Sequence, residues 1–169
     1  MKATMFAVAA LASSLAACAP SEQAQIERGR YLVDAVGCSD CHTPGGFSSS
    51  PDMKRYLAGS DVQFEMPGVG VFVPPNLTPD KATGLGTWTQ GQIVTAITTG
   101  VIPDGRILAP PMPWRSFAHL SKADAMAIAT YLKSLPAVSR AVPAPAAAKP
   151  SAPGVAFTVV QWSEPPGKQ

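Results

Sequence analysis

The residues best able to do chemistry lie together. In "VGCSDCHTPGG", residues 36–46, Cys38, Cys41 and His42 gather two of the chain's three cysteines and one of its two histidines. Cys-x-x-Cys-His is the spacing that attaches a c-type haem. Two thiols add across the vinyl groups of the porphyrin, and the two-residue gap matches the separation of those groups at the ring edge. The adjoining imidazole is then free to ligate the iron. A thioredoxin-like redox pair also uses Cys-x-x-Cys, but it expects a βαβ setting that a chain with 18 prolines and 14 glycines does not offer. A zinc site needs four ligands, and of the remaining residues His119 is the one that could complete it. A structural disulfide across two residues would leave His42 without a purpose. The residues favour one covalent haem on Cys38 and Cys41, with His42 as an axial ligand.

Covalent haem attachment in bacteria takes place outside the cytoplasm, and the start of the chain agrees with export. "MKATMFAVAALASSLAAC" has a basic residue at Lys2 and an apolar run over 5–17 that ends in small residues. That run falls short of the roughly 20 residues a spanning helix needs. "LAAC" at 15–18 resembles the bacterial lipobox, in which cleavage precedes the cysteine and its thiol takes diacylglycerol. The expectation is a lipoprotein signal peptide over 1–17, lipidation of Cys18 and a polar tether over 18–24. Ala19 rather than Asp follows Cys18, which favours the outer membrane on its periplasmic side. No later segment approaches 18 continuous apolar residues, so the lipid is the expected membrane contact. A net charge of +2 gives no argument for nucleic acid or a strongly basic docking face.

With 169 residues and 46% apolar content the chain can build one domain around this site. Residues 25–36 place Ile26, Tyr31, Leu32, Val33 and Val36 at helical spacings, with Gly37 as a stop. Residues 43–86 read chiefly as loop, with "VGVFV" at 69–73 as a small strand. Loops of that length argue against a compact domain unless something other than backbone pairing fills the core, and a buried haem would do so. A second helix opens with Thr89 and Gln92 as a capping box and stops at Gly100. Prolines at 103, 110, 111 and 113 keep the next stretch a loop. A third helix runs from the cap at Ser121 and Asp124 to Pro136, carrying Met126, Ile128, Tyr131, Leu132 and Leu135. From 137 to 169 the chain reads as an Ala/Pro-rich extension that buries little. Its apolar patch from Val155 to Trp162 could pack back on the domain or meet a partner.

Opposite His42, the residues alone leave Met53, Met66, Met112, Met126 and His119 as second-ligand candidates. Met126 lies within a helix, where core packing is its simpler role. Met112 is held between prolines in "PPMPW", which limits how far its thioether can wander. Trp88, Trp114, Asn76 and Arg106 carry donors that could meet the haem edge or propionates, although Trp88 could equally pack at the start of its helix and Arg106 sit solvated in a turn.

Over residues 25–136 the chain resembles a class I cytochrome c, an all-α fold of short helices and long loops wrapped around one covalent haem. Gly29 and Val33 match the family's glycine and large residue on the first helix. Ile128 and Tyr131 in "IATYLK" match the pair that crosses them. Valine at 33 departs from the more usual aromatic. The family places its sulfur ligand where Met112 stands. "NLTPDKATGLGTW" and "DGRILAPPMPWRSFAHL" resemble the haem domains in cytochrome subunits of membrane-bound bacterial dehydrogenases for alcohols and sugars. Those subunits often carry three such domains, and here one is expected. The resemblance implies a carrier of single electrons without catalytic residues, between a dehydrogenase upstream and an oxidase or another cytochrome downstream. Its rivals are a haem sensor or enzyme with an open sixth position, and a structural thiol or zinc module.

Overall fold

The computed structural model describes residues 20–147 and 158–161. Residues 1–19 (Cys18 among them), 148–157 and 162–169, with the expectations placed on them, lie outside the described residues. Helices form the frame. Helix α1 spans Glu22–Ala35, starting within the stretch expected as tether because Ser21 accepts from the Ala24 N–H and caps it. Its C-terminus passes through Val36 to Gly37, whose φ of +69° turns the chain into the short helix α2, Cys38–His42.

Helix α3, Gln90–Thr99, has the expected capping box, with Thr89 accepting from the Gln92 N–H and Gln92 reaching back to the Thr89 N–H. It ends on Gly100 at φ +77°. A one-turn helix not foreseen from the prolines, α4, spans Trp114–Phe117. Helix α5, Lys122–Ser134, is capped by Ser121, which accepts from the Asp124 N–H.

Helix α1 crosses α5 at Gly29. A Cβ there would collide with the Ala127 carbonyl and with Cβ of Tyr131, so the two backbones meet where a side chain is missing. Val33, Ile128 and Tyr131 are buried around that crossing and join Leu57, Leu85 and Ile93 in the core. Arg28 ties the same pair of helices by donating to Asp124 at 2.8 Å.

The stretch between α2 and α3 is more ordered than its composition suggests. Strand β1, Val62–Met66, pairs antiparallel with β2, Gly70–Phe72, and with β3, Thr158–Gln161, in the order β2-β1-β3. Residues 158–161, inside the apolar patch of the C-terminal extension, therefore return to the domain as a strand. The extension also buries more than an Ala/Pro linker should. Arg140 is only 7% exposed, and Ala146 exchanges both backbone bonds with Val71 on the outer edge of β2.

Candidate haem-attachment site

Helix α2 consists of little more than the five residues of the motif. Gly37 in the left-handed region lets α1 end and α2 begin within two residues, which swings Cys38, Cys41 and His42 away from the α1 axis. Cys38 and Cys41 are free thiols, each partly exposed. Burial pushes the Cys38 thiol up to about 12, and burial followed by the nearby Asp40 raises Cys41 as well. Neither is an activated thiolate of the kind a thiol–disulfide exchange enzyme uses.

His42 is buried. Its Nδ1 lies 2.7 Å from the Pro75 carbonyl oxygen, which can only accept, so the ring proton sits on Nδ1. Burial lowers the imidazole's affinity for a second proton more than the carbonyl bond raises it. The ring is thus neutral, with the Nε2 lone pair available to a metal. Pro75 is the functional partner that residue spacing did not reveal, because its contribution is a backbone oxygen. Thr43, fully buried beside the motif, accepts from the Leu57 N–H at 2.9 Å and fastens the following loop to α2.

The other candidates are scattered. Met112 is half-buried in a turn whose backbone is fixed on both sides, its N–H donating to the Ala109 carbonyl and its carbonyl accepting from the Trp114 N–H, each at 2.9 Å. The Trp114 ring lies against Gly100, where a Cβ would come within 2.6 Å of it, and so seats this turn on the end of α3. Met66 is half-buried at the end of β1, Met126 half-buried on α5, Met53 65% exposed, and His119 exposed after α4. Trp88 packs on the core near the start of α3. Arg106 is exposed and paired with Asp104 at 2.7 Å, the solvated turn residue of the simpler reading. Asn76 is buried, its amide donating to the Val138 carbonyl and the Thr83 hydroxyl while its oxygen accepts from the Thr78 N–H and hydroxyl. Those bonds fill its capacity within the protein. Cys18 lies outside the described residues.

Two unpaired thiols one helical turn apart, followed by a neutral imidazole fixed at Nδ1, fit the donor set of a covalently attached haem. Helices gathered around such a turn define a c-type haem protein. The family described as Cytochrome c matches residues 26–136, and the chain belongs to that family of electron carriers with covalently bound haem c. It is 37% identical over 113 residues to the fructose dehydrogenase cytochrome subunit of Gluconobacter japonicus, covering 65% of this chain and 22% of that protein. It is 35% identical over 124 residues to the cytochrome c subunit of a quinone alcohol dehydrogenase from Gluconacetobacter polyoxogenes, covering 71% and 26% respectively. A diheme cytochrome c-type from Cereibacter sphaeroides is 30% identical over 117 residues, covering 69% and 38%. The chain thus spans less than two fifths of the length of each of these relatives.

Proposed function

We propose that this chain is a one-haem, lipid-anchored electron carrier on the periplasmic side of a bacterial membrane, accepting electrons from a dehydrogenase and passing them to an oxidase or another cytochrome. The observation that carries the reading is the α2 turn, with two free thiols beside a neutral His42 whose Nδ1 is committed to Pro75. Bound haem supplies a one-electron couple. Cys38 and Cys41 would hold it as thioethers, each S–H adding across one vinyl group, and His42 Nε2 and the Met112 thioether would hold the iron. The Pro75 carbonyl keeps the His42 proton on Nδ1 and increases the basicity of Nε2. The family match over 26–136 and the helices from α1 to α5 support a cytochrome domain over about 25–136. The 137–169 extension and the Cys18 anchor rest on the sequence, on its Ala/Pro-rich composition and on "LAAC". Among the described residues no helix is long and apolar enough to cross a membrane.

The relatives named for fructose and alcohol dehydrogenases make sugar- or alcohol-oxidising complexes the first partners to test. Membranes carrying the protein would be given fructose, ethanol or gluconate anaerobically while haem reduction is followed at the visible α band. Reduction by one substrate, lost when its dehydrogenase is deleted, supports the assignment. Full reduction by dithionite with none from any substrate would contradict it.

A further inference from the structure

His42 is held by two backbone segments. Its carbonyl accepts from the Gly59 N–H at 2.8 Å, and its Nδ1 donates to the Pro75 carbonyl at 2.7 Å. The segments carrying those atoms are bonded to each other on both sides of Pro75, Ser60 N–H to the Pro74 carbonyl at 3.0 Å and Leu77 N–H to the Leu57 carbonyl at 2.8 Å. Where residues 57–60 sit therefore decides where the Pro75 oxygen sits.

The first residues beyond the last helix lie across both segments. Arg140, 7% exposed, donates from Nη1 to the Ala58 carbonyl at 3.3 Å and from Nη2 to the Ser60 carbonyl at 2.9 Å. The Val138 carbonyl accepts from Asn76, the neighbour of Pro75, at 2.8 Å. The Val138 and Arg140 N–H groups donate to the hydroxyls of Thr78 and Thr83 at 3.1 and 3.0 Å. Gly59 adopts φ +95°, and a Cβ there would lie 2.7 Å from Cγ1 of Val142, so the strap approaches as closely as a glycine permits.

We propose that Arg140 is a positioning residue: through it the strap 138–142 holds residues 57–60 and 74–77 together, presses the Pro75 carbonyl onto His42 Nδ1 and so sets the redox potential of the haem site. The inference rests on the reading of His42 as the iron's histidine ligand. A guanidinium fork reaches two carbonyls at once in a fixed geometry, whereas an ammonium does not reproduce that fork. A firm Nδ1–H···O=C bond makes the ligating nitrogen more basic and favours the ferric state, so loosening the strap raises the potential. Removing the positive charge alone acts the other way, because a cation near the iron favours the ferrous state. The two effects have opposite signs and can be told apart.

The test uses full-length holoprotein, with solvent exchange of the His42 ring N–H measured by NMR in the ferrous state and the midpoint potential measured by redox titration. Arg140→Lys keeps the charge and loses the fork. It should speed ring N–H exchange about tenfold, the loss expected of a hydrogen bond to a charged group, and raise the potential. Thr78→Val, which removes the hydroxyl on the Val138 N–H, should move both readouts in the same direction by less, and it serves if Arg140→Lys does not accumulate. Arg28→Lys, which exchanges a fork on the α1–α5 ion pair, should move neither. A lower melting temperature with exchange and potential as in the wild type would overturn the proposal, leaving the strap structural only. A lower potential with unchanged exchange would also overturn it, because the strap would then act on the iron by some route other than the Pro75–His42 bond. A wild-type His42 ring lacking the shifted resonances of an iron ligand would overturn the underlying reading and this inference with it, before any variant is made.

Discussion

The fold makes opposite demands of two helical glycines that look alike in the sequence. Gly29 sits inside α1, and a methyl group there meets the backbone carbonyl of Ala127 and the base of the Tyr131 side chain, neither of which can swing aside. Gly91 lies in the first turn of α3, where a methyl group would find only the Thr89 hydroxyl at 3.9 Å. Helix propensity alone favours alanine over glycine by about 1 kcal/mol in a helix interior, and less in a first turn. At Gly91 that term stands unopposed, so Gly91→Ala should stabilise by roughly 0.5 kcal/mol. At Gly29 overpacking against backbone costs about 1–3 kcal/mol or more and overrides the propensity gain. A net loss of about 2 kcal/mol corresponds to a fall of roughly 8–15 °C in melting temperature for a domain near 100 residues. Thermal and urea unfolding of the two holoproteins, followed by circular dichroism, decide the matter. If Gly29→Ala proved as stable as the parent, the close crossing would be wrong.

The remaining expectations concern the ligand, the anchor and a cap. Met112→Ala should admit carbon monoxide to the reduced protein and abolish the weak sulfur-to-iron band at the red end of the oxidised spectrum; Met66→Ala and Met126→Ala should leave both as they were. Met112→His should keep a six-coordinate spectrum and lower the potential in a redox titration. Cys18→Ser should abolish metabolic labelling with palmitate and leave unprocessed precursor on a gel, whereas soluble mature-sized protein would refute the lipobox. Thr89→Ala removes the acceptor for the Gln92 N–H and should cost about 1 kcal/mol in urea titration.

What was legible in the sequence is what local chemistry decides. Thr89 with Gln92, Ser121 with Asp124, and the glycine at 100 mark helix ends because a cap needs only partners within a turn. The thiols and imidazole of the site are legible for the same reason, lying within five residues. The small sheet was only half visible. "VGVFV" suggested β2, but β1 pairs on its other side with Thr158–Gln161, more than half the chain away, and no local pattern reports that. Arg140 looked like a charge in a proline-rich linker and is buried because carbonyls of Ala58 and Ser60 converge on it. Asn76 was a candidate for the haem edge, yet the strap, Thr78 and Thr83 take up its amide. Pro75 was invisible as a functional residue since its part is played by a main-chain oxygen, whose direction depends on the folding of two loops.

Covalent attachment at α2 is the claim on which the rest depends, and a pyridine haemochrome taken after acidic acetone extraction measures it directly. Colour should stay with the denatured chain and show one c-type haem per polypeptide, and Cys38→Ser or Cys41→Ser should remove most of it. Haem that extracts freely from the wild-type protein, or a haemochrome unchanged in both cysteine variants, would contradict attachment through Cys38 and Cys41.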